Sequence, residues 1–308
     1  MLSVVIPAGG GAARLKCALQ CLAASLHGGI SNIEVIVVND GGALEIRDCV
    51  HRSGREYAVD FELVEIPRGG RSAARNAGAA RSRGDRLLFI DSDVLLEKEA
   101  LVFHSTLNGA AARIIYRGTI LHLPWLTAFA DPVSGELTVE ASRSLRLSNE
   151  DACLLASRKL SREAIENPEL LKAGSRRPPF QRDLQRWFGG DPANIAATWI
   201  GCTGGQFSVD RSVWETLGGF DERMGLRWGA EDLEFGYRAV ESGIAVRHAE
   251  RARCYHMDHP VHGRDRDHEW ALEYFAHKHA NPGILRLSEY FGGKCSLNQV
   301  LEACHGSA

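Results

Sequence analysis

The stretch Leu87-Leu88-Phe89-Ile90-Asp91-Ser92-Asp93 decides the reading of this chain. A short apolar run, entered from Gly84-Asp85 and stopped by two carboxylates, reads as a buried strand that ends at a polar site. In open α/β sheets, ligands bind outside the carboxyl ends of the strands. Asp91 and Asp93 at such an end can converge on one hard divalent ion, Mg2+ or Mn2+, whose preferred ligands are carboxylate, phosphate and water oxygens. The same residues would equally serve a plain turn, with Asp91 starting the reversal and Asp93 capping a following helix. The pair alone does not choose between the two.

Upstream of this stretch, apolar runs alternate with helical spacing. Leu2-Ser3-Val4-Val5-Ile6 reads as a strand ended by Pro7, and Ala8-Gly9-Gly10-Gly11 as a loop that lets backbone approach a ligand. Ala12 to Ser25 has helical spacing, stopped by His27-Gly28-Gly29. Ile33 to Val38 is a second strand closing on Asn39-Asp40-Gly41-Gly42, Leu44 to Ser53 a helix, Phe61 to Ile66 a third strand, and Ser72 to Ala80 a short helix. This alternation predicts a parallel, doubly wound α/β sheet.

Downstream the alternation fades. Arg113 to Leu121 and Leu137 to Ala141 read as strands, and Asn149 to Ile165 as a helix capped by Ser148 or Asn149. Arg176 to Arg186 reads as a basic loop, either a solvated face or a contact for an anionic substrate group. Trp199 to Phe207 reads as a strand running into a glycine loop, and Val213 to Leu217 as a short helix before Gly218-Gly219-Phe220-Asp221-Glu222. Glu231 to Ser242 is helical, with Gly243 following as its terminator. Glu231 and Asp232 then occupy a first turn, where the helix dipole favours carboxylates for purely structural reasons. Alternatively one of them faces a cleft beside Trp228 and works as a general base.

The 308 residues carry 36 basic and 39 acidic side chains, a net charge of −3, so nothing global points to nucleic acid. No apolar run approaches the roughly 18–20 residues that cross a bilayer. Leu2 to Ile6 is too short for a signal peptide, and the eight cysteines show no C-x-x-C pair. A cytoplasmic protein without a disulfide framework is the expectation.

Taken together, Val4-Val5-Ile6-Pro7, Val37-Val38-Asn39-Asp40-Gly41, Ala74-Arg75-Asn76-Ala77-Gly78, Phe89-Ile90-Asp91-Ser92-Asp93, Gly218-Gly219-Phe220-Asp221-Glu222 and Trp228-Gly229-Ala230-Glu231-Asp232 resemble, in order, the family 2 glycosyltransferases. The last two are similar to the β-1,4-galactosyltransferase, chondroitin-polymerase and polypeptide N-acetylgalactosaminyltransferase branch. The resemblance implies the GT-A fold, a Rossmann-like doubly wound mixed sheet with abutting nucleotide-binding and acceptor-binding halves. Residues 1–110 would form the nucleotide-sugar half and 111–260 the acceptor-binding and catalytic half, with 261–308 a C-terminal helical extension.

The same resemblance implies a UDP-sugar donor, an unspecified acceptor, Mn2+ (or Mg2+), and a role for each matching residue. Asp40 would bond the uracil edge, with Pro7, Ala8, Arg75 and Ser92 bordering the donor. Asp91 would hold the ribose and a metal-bound water, while Asp93 and His256 would bind the metal. Gly204 and Gly205 would line the donor sugar, and Trp228, between Arg227 and Gly229 on a ligand-facing loop, would also border the donor. Asp232 would deprotonate the acceptor, with Glu231 beside it; Asp232, where the polypeptide branch has Asn, tips the reading toward inversion. Residues from about 111 to 198 would supply most of the acceptor pocket. Ala8-Gly9-Gly10-Gly11 departs from the family, which often offers an aromatic to the base there, and Asn39-Asp40 keeps only one carboxylate of the usual acidic pair.

Three other readings are open. Ala8 to Leu15 resembles the glycine loop of sugar-nucleotide pyrophosphorylases, although the family's lysine about ten residues on is absent. A binding-only homologue is a second. The third is a separate zinc site on His256, His259 and His262, against which Pro260 argues. His248, His268, His277 and His279 are read as surface or core histidines, and the tryptophans other than Trp228 as core.

Overall fold

A computed structural model describes residues 1–107, 113–144, 158–189, 195–260 and 263–305. The first half follows the alternation: β1 (Leu2–Ala8), α1 (Ala12–His27), β2 (Ile33–Asp40), α2 (Leu44–Tyr57), β3 (Phe61–Ile66), α3 (Arg71–Arg81) and β4 (Arg86–Ile90). After the two aspartates come β5 (Val94–Leu96), α4 (Lys98–Thr106), β6 (Ile114–His122), a small hairpin of β7 (Phe129–Asp131) and β8 (Glu136–Leu137), and α5 (Val139–Ser144). Then follow α6 (Arg162–Glu166), α7 (Pro179–Gly189), β9 (Gln206–Asp210), α8 (Arg211–Thr216), α9 (Glu231–Glu241) and β10 (Ala245–His256). Three helices close the chain: α10 (Arg264–Lys278), α11 (Arg286–Phe291) and α12 (Leu297–His305).

Eight strands form one sheet in the order β3-β2-β1-β4-β9-β6-β10-β5. The first four are mutually parallel, whereas β9 runs antiparallel to both β4 and β6. The sheet is therefore mixed. Winding reverses between β1 and β4, so the carboxyl ends of β1, β2 and β4 open onto the crevice where such folds bind ligands. β1, β2 and β4 are buried along nearly their whole length, as strands covered on both faces must be.

Several motif residues exist to hold this frame. A Cβ on Gly78 would meet Val5 Cγ1 at 2.4 Å and Val38 Cγ2 at 2.9 Å, so α3 can lie on the sheet only with glycine there. Asn76 accepts from the Phe220 N–H (2.8 Å) and donates to the Phe220 carbonyl (2.9 Å) and Glu222 (2.8 Å), stitching α3 to the loop before α9. Asp221 in turn accepts from Tyr274 (2.8 Å) and Lys278 (2.6 Å) of α10.

The structure departs from the sequence reading in the second half. Trp199 to Gly201 belongs to a 3-10 turn (Ile195–Gly201), and the strand follows the glycines instead of leading into them. Leu137 ends β8 and Val139 opens a helix. The basic segment through Arg186 is mostly helix, its apolar side packing Leu184, Phe180, Trp187 and Phe188 on the core; the two prolines ahead of it mask this periodicity. The helix expected over Asn149 to Ile165 lies partly outside the described residues; the described part starts afresh at Ser161, whose Oγ accepts from the Ala164 N–H. Long β10 went unread because its alternation is broken by a bulge between Ala249 and Arg253.

The C-terminal helices pack on the main core. Leu272, Phe275, Ile284, Leu287, Val300 and Leu301 join Trp199, Phe207 and Phe235 in one apolar cluster.

Candidate active site

At the carboxyl edge of the sheet lies a cleft of about 570 Å³ bordered by Pro7, Gly9, Asp40, Arg75, Asp91, Ser92, Asp93, Gly204, Gly205, Trp228, Glu231, Asp232 and His256. Ala8 is not among its lining residues. It is fully buried, because alternation along β1 turns its side chain into the core.

Strand register brings the candidate cation ligands together. In the antiparallel β5–β10 ladder Val94 pairs with His256, and the Met257 N–H donates to the Asp93 carbonyl (2.8 Å). Asp93 is thereby set beside His256, whose Nε2 lies 3.3 Å from Asp93 Oδ2; His259 Nε2 lies 3.1 Å from the same oxygen. The Nδ1 of His256 is 2.7 Å from Asp258 Oδ1, which also takes His122 Nδ1 at 2.8 Å. A carboxylate on Nδ1 fixes the ring and frees Nε2 for a cation, the usual outer support of a metal-binding imidazole.

Burial opposes ionisation of Asp93, yet His256 and His259 hold its carboxyl well below the usual range. Burial likewise opposes the His256 proton, but Asp93 and Asp258 outweigh it and raise the ring to about 10. This corner calls for positive charge. Asp93 Oδ1 is buried without a hydrogen-bond partner, and Asp93, His256 and His259 present ligand atoms within 4.8 Å of one another. The residues fit a divalent cation of borderline or hard character. The sequence offers His259 only as part of a separate zinc site, against which Pro260 argues; the structure places it instead beside His256 on Asp93. His262 lies outside the described residues.

Across the cleft stands the acidic pair. Gly229 (φ 110°) and Ala230 (φ 63°) turn the chain sharply into α9; a left-handed alanine costs about 1 kcal/mol or more and marks a constrained turn. Arg75, 2% exposed, donates to Glu231 Oε1 (2.7 Å) and Asp91 Oδ1 (3.0 Å). Burial alone would lower its pKa, but Asp91, Glu231 and Asp232 raise it. Arg75 is a strut between the two acidic clusters, and Glu231, ionised against it, is its anchor.

Asp232 is different. One oxygen accepts from the Gly204 N–H and the other from the Leu233 N–H (2.8 Å). Burial, then the charge of Glu231, push its carboxyl up to about 6. A Cβ on Gly204 would sit 3.1 Å from Asp232 Oδ2 and 3.4 Å from Asp91 Oδ2, so any side chain there would press on both carboxylates. Glu234, also in the first turn, is structural: it is tied to Arg238 (2.8 Å), Lys278 (2.6 Å) and His279 (3.0 Å).

At the far end, Asp40 accepts from the Gly69 N–H (2.6 Å) and the Gly70 N–H (3.0 Å). Each of its oxygens thus already holds one backbone donor of the turn into α3. Arg68 lines this end of the cleft where an aromatic was missed. The Trp228 ring is approached by the guanidinium groups of Arg264 (4.5 Å from its centroid) and Arg71 (5.7 Å). His268, read as surface or core, lines the cleft as well. Of the segment expected to build the acceptor pocket, Ile120, His122, Phe180 and Gln181 reach it. Arg14, the arginine of the pyrophosphorylase-like loop, instead donates to the carbonyls of Met257 (3.2 Å), Leu126 (3.0 Å), Phe129 (2.9 Å) and Asp258 (3.0 Å).

Residues 3–102 match the model described as Glycosyl transferase family 2, and residues 188–260 the one described as N-terminal domain of galactosyltransferase. The chain is 24% identical over 296 residues to "Uncharacterized glycosyltransferase YfnE" of Bacillus subtilis (strain 168), covering 94% of this chain and 74% of that one. It spans between 23% and 35% of the length of three further curated relatives. Among solved structures, the mannosyltransferase PcManGT from Pyrobaculum calidifontis, in complex with GDP-Man and Mn2+, superposes with a TM-score of 0.54 at 14% identity, covering 98% of this chain and 72% of that one. S. aureus TarS 1-349 in complex with UDP-GlcNAc gives 0.54 at 14% identity, covering 96% and 74%. At such identity the likeness is one of fold.

Proposed function

This chain belongs with the family 2 glycosyltransferases of GT-A fold, and from that premise we propose that it is an inverting, metal-dependent enzyme moving a sugar from UDP to an acceptor hydroxyl. The observation that carries the reading is the approach of Asp232 and Asp91 to Gly204, which brings a candidate base and a candidate diphosphate-side carboxylate to one glycine at the floor of the cleft. Asp93, His256 and His259 would hold the cation, with Asp91 through water. When bound, it supplies neutralisation of the charge that develops on the leaving diphosphate.

The chain's own residues divide the remaining work. Asp40 and Arg68 border the base, and Pro7 and Ser92 the ribose end. Gly204 and Gly205 admit the donor sugar against backbone. Arg75 keeps Asp91 and Glu231 in fixed relation without itself facing solvent. Asp232, with its pKa raised to about 6, accepts the acceptor's proton on the face away from the leaving group; a base poised near the working pH is the more effective one. Residues 1–110 serve the donor and 111–260 the chemistry. No described helix is long and apolar enough to cross a membrane.

A thermal-shift series of UDP-, GDP- and TDP-sugars with and without Mn2+ tests the reading. Stabilisation by UDP-sugars that requires Mn2+ is expected, lost in Asp93→Ala. A shift with GDP-sugars alone would replace the donor assignment, and metal-independent binding would remove the cation. Pyrophosphate formation from UTP and a sugar 1-phosphate would favour the pyrophosphorylase instead, an outcome the carbonyl-bound Arg14 argues against.

A further inference from the structure

The cleft has an aromatic wall running away from the acidic pair. Trp228 contacts His268 (ring centroids 5.4 Å apart), His268 contacts Phe291 (5.2 Å), and Phe291 meets Phe180 edge-on (5.3 Å). All four line the cleft. They come from four separate pieces of chain: the loop before α9, α10, the last residue of α11, and α7. The wall begins beside the base, since a Cβ on Gly229 would strike the His268 ring at 2.6 Å and the charge of Glu231 is felt at His268. Its far end is braced where Tyr290 of α11 donates to Asp183 of α7 (2.7 Å).

Single exposed hydrophobes need no explanation. Phe291, however, is 46% exposed and is continuous with three other rings in a concave site. The same cleft also carries polar and charged groups: Asp232, His122, Arg227 and Arg264 line it with the rings. A wholly apolar ligand would strip water from the remaining hydrogen-bonding capacity of these groups, and a wholly polar one would leave the rings wet. A pyranose ring matches both, with its C–H face on the aromatics and its hydroxyls toward the donors and carboxylate.

We propose that Phe291, Phe180 and His268 form the acceptor subsite, and that the acceptor presents a terminal sugar ring there with one hydroxyl at Asp232. The assignment rests on the glycosyltransferase reading above and gives its acceptor a chemical class. It also gives α10 and α11 a part in specificity, although both lie beyond residue 260, where the matched family segments end.

The test uses the full-length chain with Mn2+ and whichever nucleotide sugar stabilises it. UDP release is followed with methyl glycosides of glucose, N-acetylglucosamine, galactose and glucuronic acid as probes, and with a Ser/Thr-rich peptide. At least one glycoside should accelerate release. Phe291→Ala should then raise its KM about three- to tenfold, as the loss of one aromatic contact predicts, with kcat and the Mn2+-dependent donor shift retained. Phe291→Trp should keep the wild-type KM. An unchanged KM in Phe291→Ala overturns the subsite, and acceleration by the peptide alone, or by no glycoside, overturns the sugar class. Absence of any metal-dependent donor shift in the wild type would instead strike the glycosyltransferase reading itself.

Discussion

Asp232 and Glu231 are neighbours with opposite fates. Glu231 is paired with Arg75 at 2.7 Å and stays ionised, whereas for Asp232 burial and the repulsion of Glu231 outweigh the more distant charge of Arg75 and two backbone N–H donors. That difference separates a positioning carboxylate from a basic one. In the proposed role Asp232 must be deprotonated to act, so kcat/KM should be flat above neutrality and fall as pH drops through about 6. Asp232→Asn should abolish this limb, lowering kcat by about 10²- to 10⁴-fold, while the donor's Mn2+-dependent thermal shift remains. Transfer at the normal rate by that variant would remove Asp232 from the chemistry. Asp40 illustrates the reverse economy: a residue read as a base contact also closes the turn into α3 through Gly69 and Gly70. Loss of UDP affinity in Asp40→Ala would therefore need a check that this turn survives.

At the level of elements, α3 carries the most information per residue. One face gives Arg75 to the acidic clusters, the next residue stitches Phe220, and Gly78 lets the helix approach Val5 and Val38. Gly78→Ala gains helix propensity but must displace two buried valines. Overpacking of this kind costs about 1–3 kcal/mol, so the melting temperature should fall, as calorimetry would show; a rise would mean the helix–sheet spacing yields freely. The proposed cation site depends likewise on an element, the β5–β10 ladder. A one-residue slip there would turn His256 away from Asp93, since side chains alternate across a strand.

Seen as a whole molecule, the sheet is one continuous surface and its core is completed from the far end of the chain. Leu272, Phe275, Leu287, Val300 and Leu301 are buried against Trp199 and Phe235, so α10 to α12 are part of the folding unit. A chain ended at residue 260 would expose those core residues' partners; it should lose cooperative unfolding in urea and bind an apolar dye. A sharp transition from the truncated chain would show that 261–308 is dispensable.

The sequence by itself determined the doubly wound first half, the place of the crevice and the acidic residues around it. Those follow from local periodicity and from strand ends that stop on carboxylates, both of which a linear reading carries. Only the tertiary structure decided that β9 runs antiparallel, that His259 joins His256 on Asp93, that Arg75 is an internal strut, and that Phe291 reaches the cleft. Each depends on strand register or on helix docking between segments far apart in the chain, and no local pattern of residues encodes such a distance.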